Sequence, residues 1–171
     1  MTTLACFVSS HGFGHAARTC AVITALARRN RSLGFHIFTT VPEWFFVESL
    51  SDSFVYHQCS TDVGMVQISP LEEDFRATMR ALDAAPWRDA GAVERSASLL
   101  RQLKCSLVLA DISPFGLRVA RHAGLPSVLI ENFTWDWIYR RIEGAEELVS
   151  YADELAAIFA GSDLRIETAP A

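Results

Sequence analysis

The chain has 171 residues, half of them hydrophobic, which is enough for one domain with a substantial core and too few for two large ones. With 20% charged residues and a formal net charge of −5, it lacks the basic surplus that a nucleic-acid binder needs. No apolar run reaches the roughly 20 residues that span a bilayer, and no basic segment precedes the first run, so we expect no transmembrane segment, no signal peptide and a cytoplasmic location.

Short apolar runs alternate along the chain with segments of helical period. Runs of four or five apolar residues are typical of strands that are buried on both faces. Such strands are predicted at residues 4–8, 35–39, 54–57, 107–110, 127–130 and 164–166. Helices are predicted at residues 16–29, 42–50, 71–82, 88–103, 114–122 and 135–159, with a break near residue 144 and a loop at residues 62–70.

Apolar strands that are separated by helices indicate an α/β fold of the Rossmann-like kind, with three αβα layers and a mainly parallel sheet. No repeat or linker divides the sequence, so residues 1–171 are predicted to form a single domain. Ligands of such sheets bind beyond the carboxyl ends of the strands. The segments that follow the strand ends are therefore where a site is expected.

A glycine-rich loop joins the first strand to the first helix. Gly12 and Gly14 let the backbone turn sharply and approach a ligand, and the free N–H groups of the helix start favour an anion or a developing oxyanion. Gly12, Gly14 and Ala17 also fit the dinucleotide pattern G-x-G-x-x-G/A. The second strand, however, ends in Thr39 and Thr40, where a ribose-binding acid would be expected. A dinucleotide-binding domain stays open as one interpretation.

His15 and Asp111 are the candidate catalytic residues. A neutral imidazole at the helix start could take a proton from a substrate hydroxyl, and Asp111 ends another strand at the same edge, where it could orient the ring. The alternative is that both residues merely cap helices. Arg18 lies one turn after His15 and could meet an anionic group. His11 and His15 lack a third ligand at recognisable spacing, so no metal site is expected.

Several segments carry a resemblance to a known family. The loop SSHGFGHAAR, which starts at residue 9, resembles the first glycine-rich loop of GT-B glycosyltransferases, whose N-terminal domain carries a Gly-His near its first helix. The segments DVGMVQ, LVLADISP and ENFTWDWIY, which start at residues 62, 107 and 131, resemble the glycosyltransferase-like N-terminal region of plant L-arabinokinases and bacterial stand-alone relatives. These segments run from the start of the chain to about Tyr139.

The resemblance implies the N-terminal, acceptor-side domain of an inverting glycosyltransferase that uses a nucleotide sugar. By motif position, the general base of that family falls on His15 and its supporting acid on Asp111. The implied ligands are a sugar or glycosyl acceptor and a nucleotide sugar that serves as substrate, with no cofactor. The expected substrate-binding residues are His11, Gly12, Gly14, Arg18, Asn132, Trp135 and Asp136.

The resemblance covers only one of the two domains of a GT-B enzyme. The second, donor-binding domain is expected to be absent, because no further glycine-rich loop or acidic ribose-binding motif follows Leu164. The chain is then expected to be half of a longer enzyme, or one subunit beside a donor-domain partner or a second copy of itself. The alternative is a non-catalytic module that binds a sugar or sugar phosphate, so the sequence leaves enzyme activity open.

Overall fold

A computed structural model describes residues 2–168 of the protein. The strands are β1 (Thr2–Val8), β2 (Leu33–Thr39), β3 (Phe54–Gln58), β4 (Gln67–Ser69), β5 (Glu72–Glu73), β6 (Cys105–Asp111), β7 (Ser127–Glu131) and β8 (Leu164–Glu167). The helices are α1 (Phe13–Arg29), α2 (Glu43–Ser49), α3 (Phe75–Asp83), α4 (Ala90–Gln102), α5 (Pro114–Ala123), α6 (Trp135–Tyr139) and α7 (Val149–Ala160), with a 3-10 turn at Glu146–Leu148. Each of the six strands predicted from the sequence is present.

Six strands form one parallel sheet in the order β3-β2-β1-β6-β7-β8, and β4 and β5 form a separate antiparallel hairpin. The predicted three-layer α/β fold is confirmed. Because the chain runs outward from β1 to β3 and then returns to β6 beside β1, the strand order reverses between β1 and β6. That reversal leaves a crevice at the carboxyl ends of the two central strands, where α/β proteins bind their ligands.

The central strand β1 is buried on both faces, as its unbroken apolar sequence predicts. Alternate side chains point to opposite sides. Ala5 and Phe7 pack into the cluster under α4, α5 and α7, whereas Cys6 and Val8 pack into the cluster under α1 and α2. Full burial of each large apolar side chain stabilises the fold by about 1.5–3 kcal/mol. This rigid strand carries the glycine loop at its end.

The structure corrects the prediction between the third strand and the third helix. Residues 67–73, expected to be loop and helix start, form the β4–β5 hairpin instead. The helix begins only at Phe75, because the side chain of Asp74 caps it by accepting a hydrogen bond from the Ala77 amide at 2.7 Å. Leu71, at the hairpin turn, is 94% exposed and has no core to join.

The long helical stretch predicted for residues 135–159 is divided, as expected, near Gly144. Gly144 has φ +74°, a left-handed conformation that ends helical geometry and suits glycine. The break separates α6, which follows β7 at the carboxyl edge of the sheet, from α7, which packs on the sheet face. No helix within residues 2–168 has the length and apolar character to cross a membrane.

Candidate active site

The candidate site lies at the carboxyl ends of β1 and β6, on either side of the reversal in strand order. His15 lies in the first turn of α1, which starts three residues earlier than predicted, and Asp111 is the last residue of β6. The Ser9 amide donates to the Asp111 carbonyl at 3.1 Å, which holds the two strand ends together. The fold thus brings two residues that are 96 positions apart into contact.

His15 and Asp111 form a buried hydrogen-bonded pair. Nδ1 of His15 lies 2.9 Å from Oδ1 of Asp111, and the two residues are 7% and 1% exposed. A carboxylate can only accept, so Nδ1 carries the proton and Nε2 of the neutral ring carries a lone pair. Within residues 2–168, no hydrogen bond occupies Nε2. The ring is therefore oriented to accept a proton at Nε2.

Arg18 grips the same carboxylate from a second side. Its Nε donates to Oδ2 of Asp111 at 2.8 Å and its Nη2 donates to Oδ1 at 2.6 Å, while the Thr19 hydroxyl lies 3.3 Å from Oδ2. This bidentate pair fixes the carboxylate and, through it, the His15 ring. It also offsets the negative charge of Asp111, so the carboxylate supports an imidazolium less strongly than an unpaired one would.

The Nη1 nitrogen of Arg18 reaches the ends of the next two strands. Nη1 donates to Oδ1 of Asn132 at 2.9 Å and to Oγ1 of Thr168 at 3.2 Å. Asn132 follows β7 and Thr168 follows β8, so one guanidinium links three strand ends. Arg18 is committed to protein partners in this structure, and contact with an anionic substrate stays a prediction.

Backbone strain marks the residue that follows Asp111. Ile112 has φ +50°, a left-handed conformation that is unfavourable for a β-branched residue, and it is fully buried. Its amide is held by the Ile130 carbonyl at 3.2 Å. Such strain persists where the surrounding structure imposes it and is concentrated at functional sites. The flanking Asp111, Ser113 and Pro114 indicate that the strand ends here, but nothing in the sequence signals a left-handed conformation at Ile112.

A second buried carboxylate, which the sequence did not single out as a site residue, lies beside the pair. Oδ2 of Asp62 accepts hydrogen bonds from Ser9 Oγ and from Trp135 Nε1, the latter at 3.0 Å. Burial raises the pKa of Asp62, and these two hydrogen bonds oppose the rise. Asp62 joins the glycine loop to α6. The only sequence signal for it is its place in the segment DVGMVQ that carried the resemblance.

His11 is held at the rim of this second cluster. Its ring lies edge-on against Trp135 with 4.8 Å between ring centroids, and its amide donates to Ser9 Oγ at 3.3 Å. Gly64 leaves room for it: a Cβ there would lie 2.6 Å from Nδ1 of His11. His11 is exposed, unlike His15. A substrate-contacting role for His11 stays a prediction.

The two glycines of the loop have different conformations. Gly12 precedes α1 with φ +94°, which places it in a region that L side chains rarely adopt. Gly14 is already inside the first turn of α1. The end of β2 holds no carboxylate: the hydroxyl of buried Thr39 accepts a hydrogen bond from the Val41 amide at 3.1 Å. This geometry gives the dinucleotide interpretation no added support.

The three residues predicted after β7 are not placed alike. Asn132 is exposed beside Arg18, whereas Trp135 is 2% exposed and fixed by Asp62. Asp136 lies in the first turn of α6, and its Oδ1 is buried without a hydrogen-bond partner among residues 2–168. The structure thus gathers His15, Asp111, Arg18 and Asn132 into one network. It places Trp135 in the neighbouring Asp62 cluster and joins Asp136 to neither by a side-chain hydrogen bond.

A cleft of about 540 Å³ opens beside the network, at the ends of β7 and β8. Asn132 and Thr168, the two residues that accept hydrogen bonds from Arg18, form part of its wall. Its size is in the range of small-molecule sites. A ligand in the cleft would therefore lie next to two residues that hold Arg18, which in turn holds Asp111.

The candidate site is built from histidine, carboxylate and guanidinium groups rather than from a metal-ligand set. Within residues 2–168, no group of three or more His, Cys, Asp or Glu side chains is placed to hold a metal ion. The four cysteines are free thiols, three of them buried.

One curated protein matches most of this chain in sequence. The chain is 31% identical over 135 residues to L-arabinokinase of Arabidopsis thaliana, an alignment that covers 78% of this chain and 13% of that protein. No protein-family model matches the sequence.

Solved glycosyltransferase structures share the fold. MurG of Acinetobacter baumannii matches with a TM-score of 0.58 at 14% identity, over 99% of this chain and 42% of MurG. UGT89C1 of Arabidopsis thaliana, solved with UDP, matches with a TM-score of 0.60 at 12% identity, over 97% of this chain and 44% of the other. SsfS6, a glycosyltransferase of Streptomyces sp. SF2575, matches with a TM-score of 0.56 at 17% identity, over 99% and 51%.

These likenesses confirm the resemblance drawn from the sequence. The chain has the α/β fold of a GT-B glycosyltransferase domain and is similar in sequence to L-arabinokinase. It spans 13% of the curated relative and from 42% to 51% of the three solved structures.

Proposed function

We propose that this chain is the acceptor-side domain of an inverting glycosyltransferase, with His15 as the general base and Asp111 as the residue that orients it. The observation that carries the proposal is the 2.9 Å contact between His15 Nδ1 and Asp111 at the strand reversal, beside an open cleft. The fold shared with glycosyltransferases, one of them solved with UDP, supports it.

In the proposed reaction, Nε2 of His15 removes the proton of an acceptor hydroxyl. The acceptor oxygen then forms a bond to the anomeric carbon of the donor, and the bond from that carbon to the diphosphate oxygen breaks. The nucleoside diphosphate leaves with the electron pair, and the configuration at the anomeric carbon inverts. Arg18 keeps Asp111 in place, so that the ring retains the tautomer that accepts at Nε2.

The proposal requires a nucleotide-sugar site outside this chain. We infer that a further domain of a longer polypeptide, a partner chain or a second copy supplies it, because the chain spans about half or less of the matching structures. We also propose a cytoplasmic location, which the free, mostly buried thiols support, since reducing compartments keep cysteines unpaired.

The test is a transfer assay on the natural assembly that contains this chain. Labelled nucleotide sugars are offered with a panel of glycosides, and the anomeric configuration of the product is determined by NMR. The expected result is transfer that depends on the nucleotide sugar and inverts the anomeric centre. Retention of configuration, or absence of transfer with every donor, would contradict the proposal.

The second candidate is a non-catalytic sugar-binding module on the same fold. The specific observation in its favour is the Arg18 clamp, which offsets the charge of Asp111 and so limits its support of a protonated His15. Such a module would bind sugar in the cleft without transfer. Substitution of His15 would then change neither sugar binding nor any rate.

A further inference from the structure

The cleft at the ends of β7 and β8 has an unusual balance of charge. Glu131 is 3% exposed and pairs with Arg165 through Nε and Nη2, and Arg165 Nε also lies 3.5 Å from Glu167. The side chain of Glu167 is 76% exposed. Two carboxylates thus face one guanidinium, and the cleft carries a net negative charge.

No free cation lines the cleft within residues 2–168. Arg18 approaches it only through the atom bonded to Asn132 and Thr168, and its charge is offset by Asp111. Arg141 lies near but not in the lining: its guanidinium covers the Trp137 ring at 4.1 Å. A ligand with a phosphate or carboxylate group would therefore meet net repulsion here, because the one guanidinium in the lining, that of Arg165, is already paired with Glu131 and Glu167.

The remaining lining suits a neutral ring that carries hydroxyl groups. Trp137 is 48% exposed and lines the cleft, and the C–H surface of a sugar can pack against an indole ring. Oδ1 of Asn132 accepts from Arg18, which leaves its amide N–H groups as donors, and the exposed oxygens of Glu167 accept from hydroxyls. Donors and acceptors thus lie around an aromatic wall.

We propose that this cleft binds an uncharged sugar and excludes sugars that carry phosphate or carboxylate groups. The inference deepens the proposed function, since it makes the acceptor of that reaction a neutral sugar. Its binding claim stands on the charges and contacts of the cleft and not on the chemistry of His15.

The experiment measures binding to the purified chain by ligand-observed NMR and calorimetry at low ionic strength. The probes are methyl α-D-glucopyranoside, D-glucose 6-phosphate and D-glucuronate. Only the neutral glycoside is expected to bind, and added salt should reduce the discrimination because it screens the exposed carboxylate. Equal or tighter binding of either anionic sugar would overturn the proposal, as would the absence of binding by all three.

Two variants with matched controls test the residues. Trp137→Ala should weaken binding of the neutral glycoside. Trp44→Ala removes another exposed tryptophan, outside the cleft, and should leave that binding unchanged. Glu167→Lys should admit D-glucose 6-phosphate, whereas Glu147→Lys, an exposed site outside the cleft, should not. A Trp137→Ala variant that binds normally, or a Glu167→Lys variant that still excludes the phosphate, contradicts the assignment.

The two proposals fail separately. Binding of a neutral sugar without transfer in the natural assembly would contradict the glycosyltransferase proposal and leave the cleft assignment standing. Transfer to an acceptor that must carry a phosphate or carboxylate would contradict the cleft assignment and leave the glycosyltransferase proposal standing.

Discussion

His15 and His36 both direct Nδ1 at a nearby side chain, but the nearest partners differ. Arg18 Nη2 also lies near His15 Nδ1, at the longer distance of 3.3 Å. His15 faces the carboxylate of Asp111 at 2.9 Å, and His36 faces Nε2 of His57 at 2.8 Å. A carboxylate fixes one tautomer and leaves Nε2 available, whereas two imidazoles share one proton and resist a second. The contrast separates the histidine that we propose as a general base from one that is held in a stack of rings.

The His36–His57 pair belongs to a stack of rings that crosses the sheet. His57 stacks on Phe38 with centroids 4.3 Å apart, and Phe38 stacks on Phe7 at 4.5 Å. Burial lowers the pKa of both histidines, and that of His57 is lowered further by His36. The pair therefore joins β2 to the edge strand β3 as neutral rings. The two sites thus differ in the partner of Nδ1, and His15 is also the more deeply buried ring.

The largest expected effect is the loss of transfer rate in the His15→Ala variant. Loss of a general base lowers the rate by about 10²–10⁴-fold, and sugar binding in the cleft should be unchanged. His36→Ala, measured in the same assay, should retain the rate because its ring lies on β2 away from the strand reversal. Equal losses in the two variants would remove the distinction drawn between the histidines.

The next largest effect is a loss of stability in the Asp111→Asn variant. Asp111 is 1% exposed, and its loss leaves the Arg18 guanidinium without a counter-charge, which should reduce the free energy of unfolding by about 3–5 kcal/mol. The control is Asp153→Asn, which breaks the exposed pair with Arg140 and should cost under about 1 kcal/mol. Chemical denaturation measures both. A similar small loss in each would mean that Arg18 does not depend on Asp111.

A third histidine, His11, sharpens the comparison through the glycine behind it. Gly64→Ala forces an alanine into the left-handed conformation, which should lower the free energy of unfolding by roughly 1–2 kcal/mol. The added methyl group also crowds His11 and the buried Trp135. Gly144→Ala has the same backbone strain with no neighbour within 4 Å. We expect the larger loss of stability at Gly64, together with shifted imidazole NMR signals of His11 in that variant alone. Unshifted signals would mean that His11 does not rest against this glycine.

The smallest effect is the dependence of stability on pH from His36 and His57. Their folded pKa values lie below the unfolded value, so the unfolded chain takes up protons first as the pH falls. Their contribution is complete above the unfolded pKa of about 6.5 and is lost as the pH falls through their lowered folded values. Denaturation at several pH values should show a shallower slope for the His36→Gln/His57→Gln variant than for the natural protein. An identical slope would contradict neutral burial of the pair.

The layers of the fold and the placement of His15 beside Asp111 could be predicted from the sequence because both depend on local pattern. Apolar runs locate the strands, and parallel strands place their carboxyl ends at one edge, so His15 and Asp111 are expected to be neighbours. Contacts that depend on side-chain reach could not be predicted in this way. The Arg18 clamp joins residues 93 positions apart, and its partner is fixed only by the tertiary structure.

Other features could not be predicted from the sequence because the local pattern and the tertiary environment conflict. Asp62 lies in a segment without hydrophobic period, so nothing local signals that it is buried. Trp44 and Phe46 follow Pro42 in one apolar run, and such a run favours core packing for both side chains. Phe46 is fully buried, but Trp44 is 54% exposed, because the short helix α2 turns only one face to the sheet.

The edge strand β8 has a consequence for the behaviour of the molecule in solution. All four of its residues are exposed, with Leu164 at 55% and Ile166 at 44%, and its outer backbone groups face no neighbouring strand within the described sheet. Such an edge is a template on which another extended chain can add. Arg165 and Glu167 alternate with the two apolar residues, and charged side chains on an edge discourage that addition. Arg165 and Glu167, two of the three residues that set the charge of the cleft, therefore also disfavour edge-to-edge aggregation.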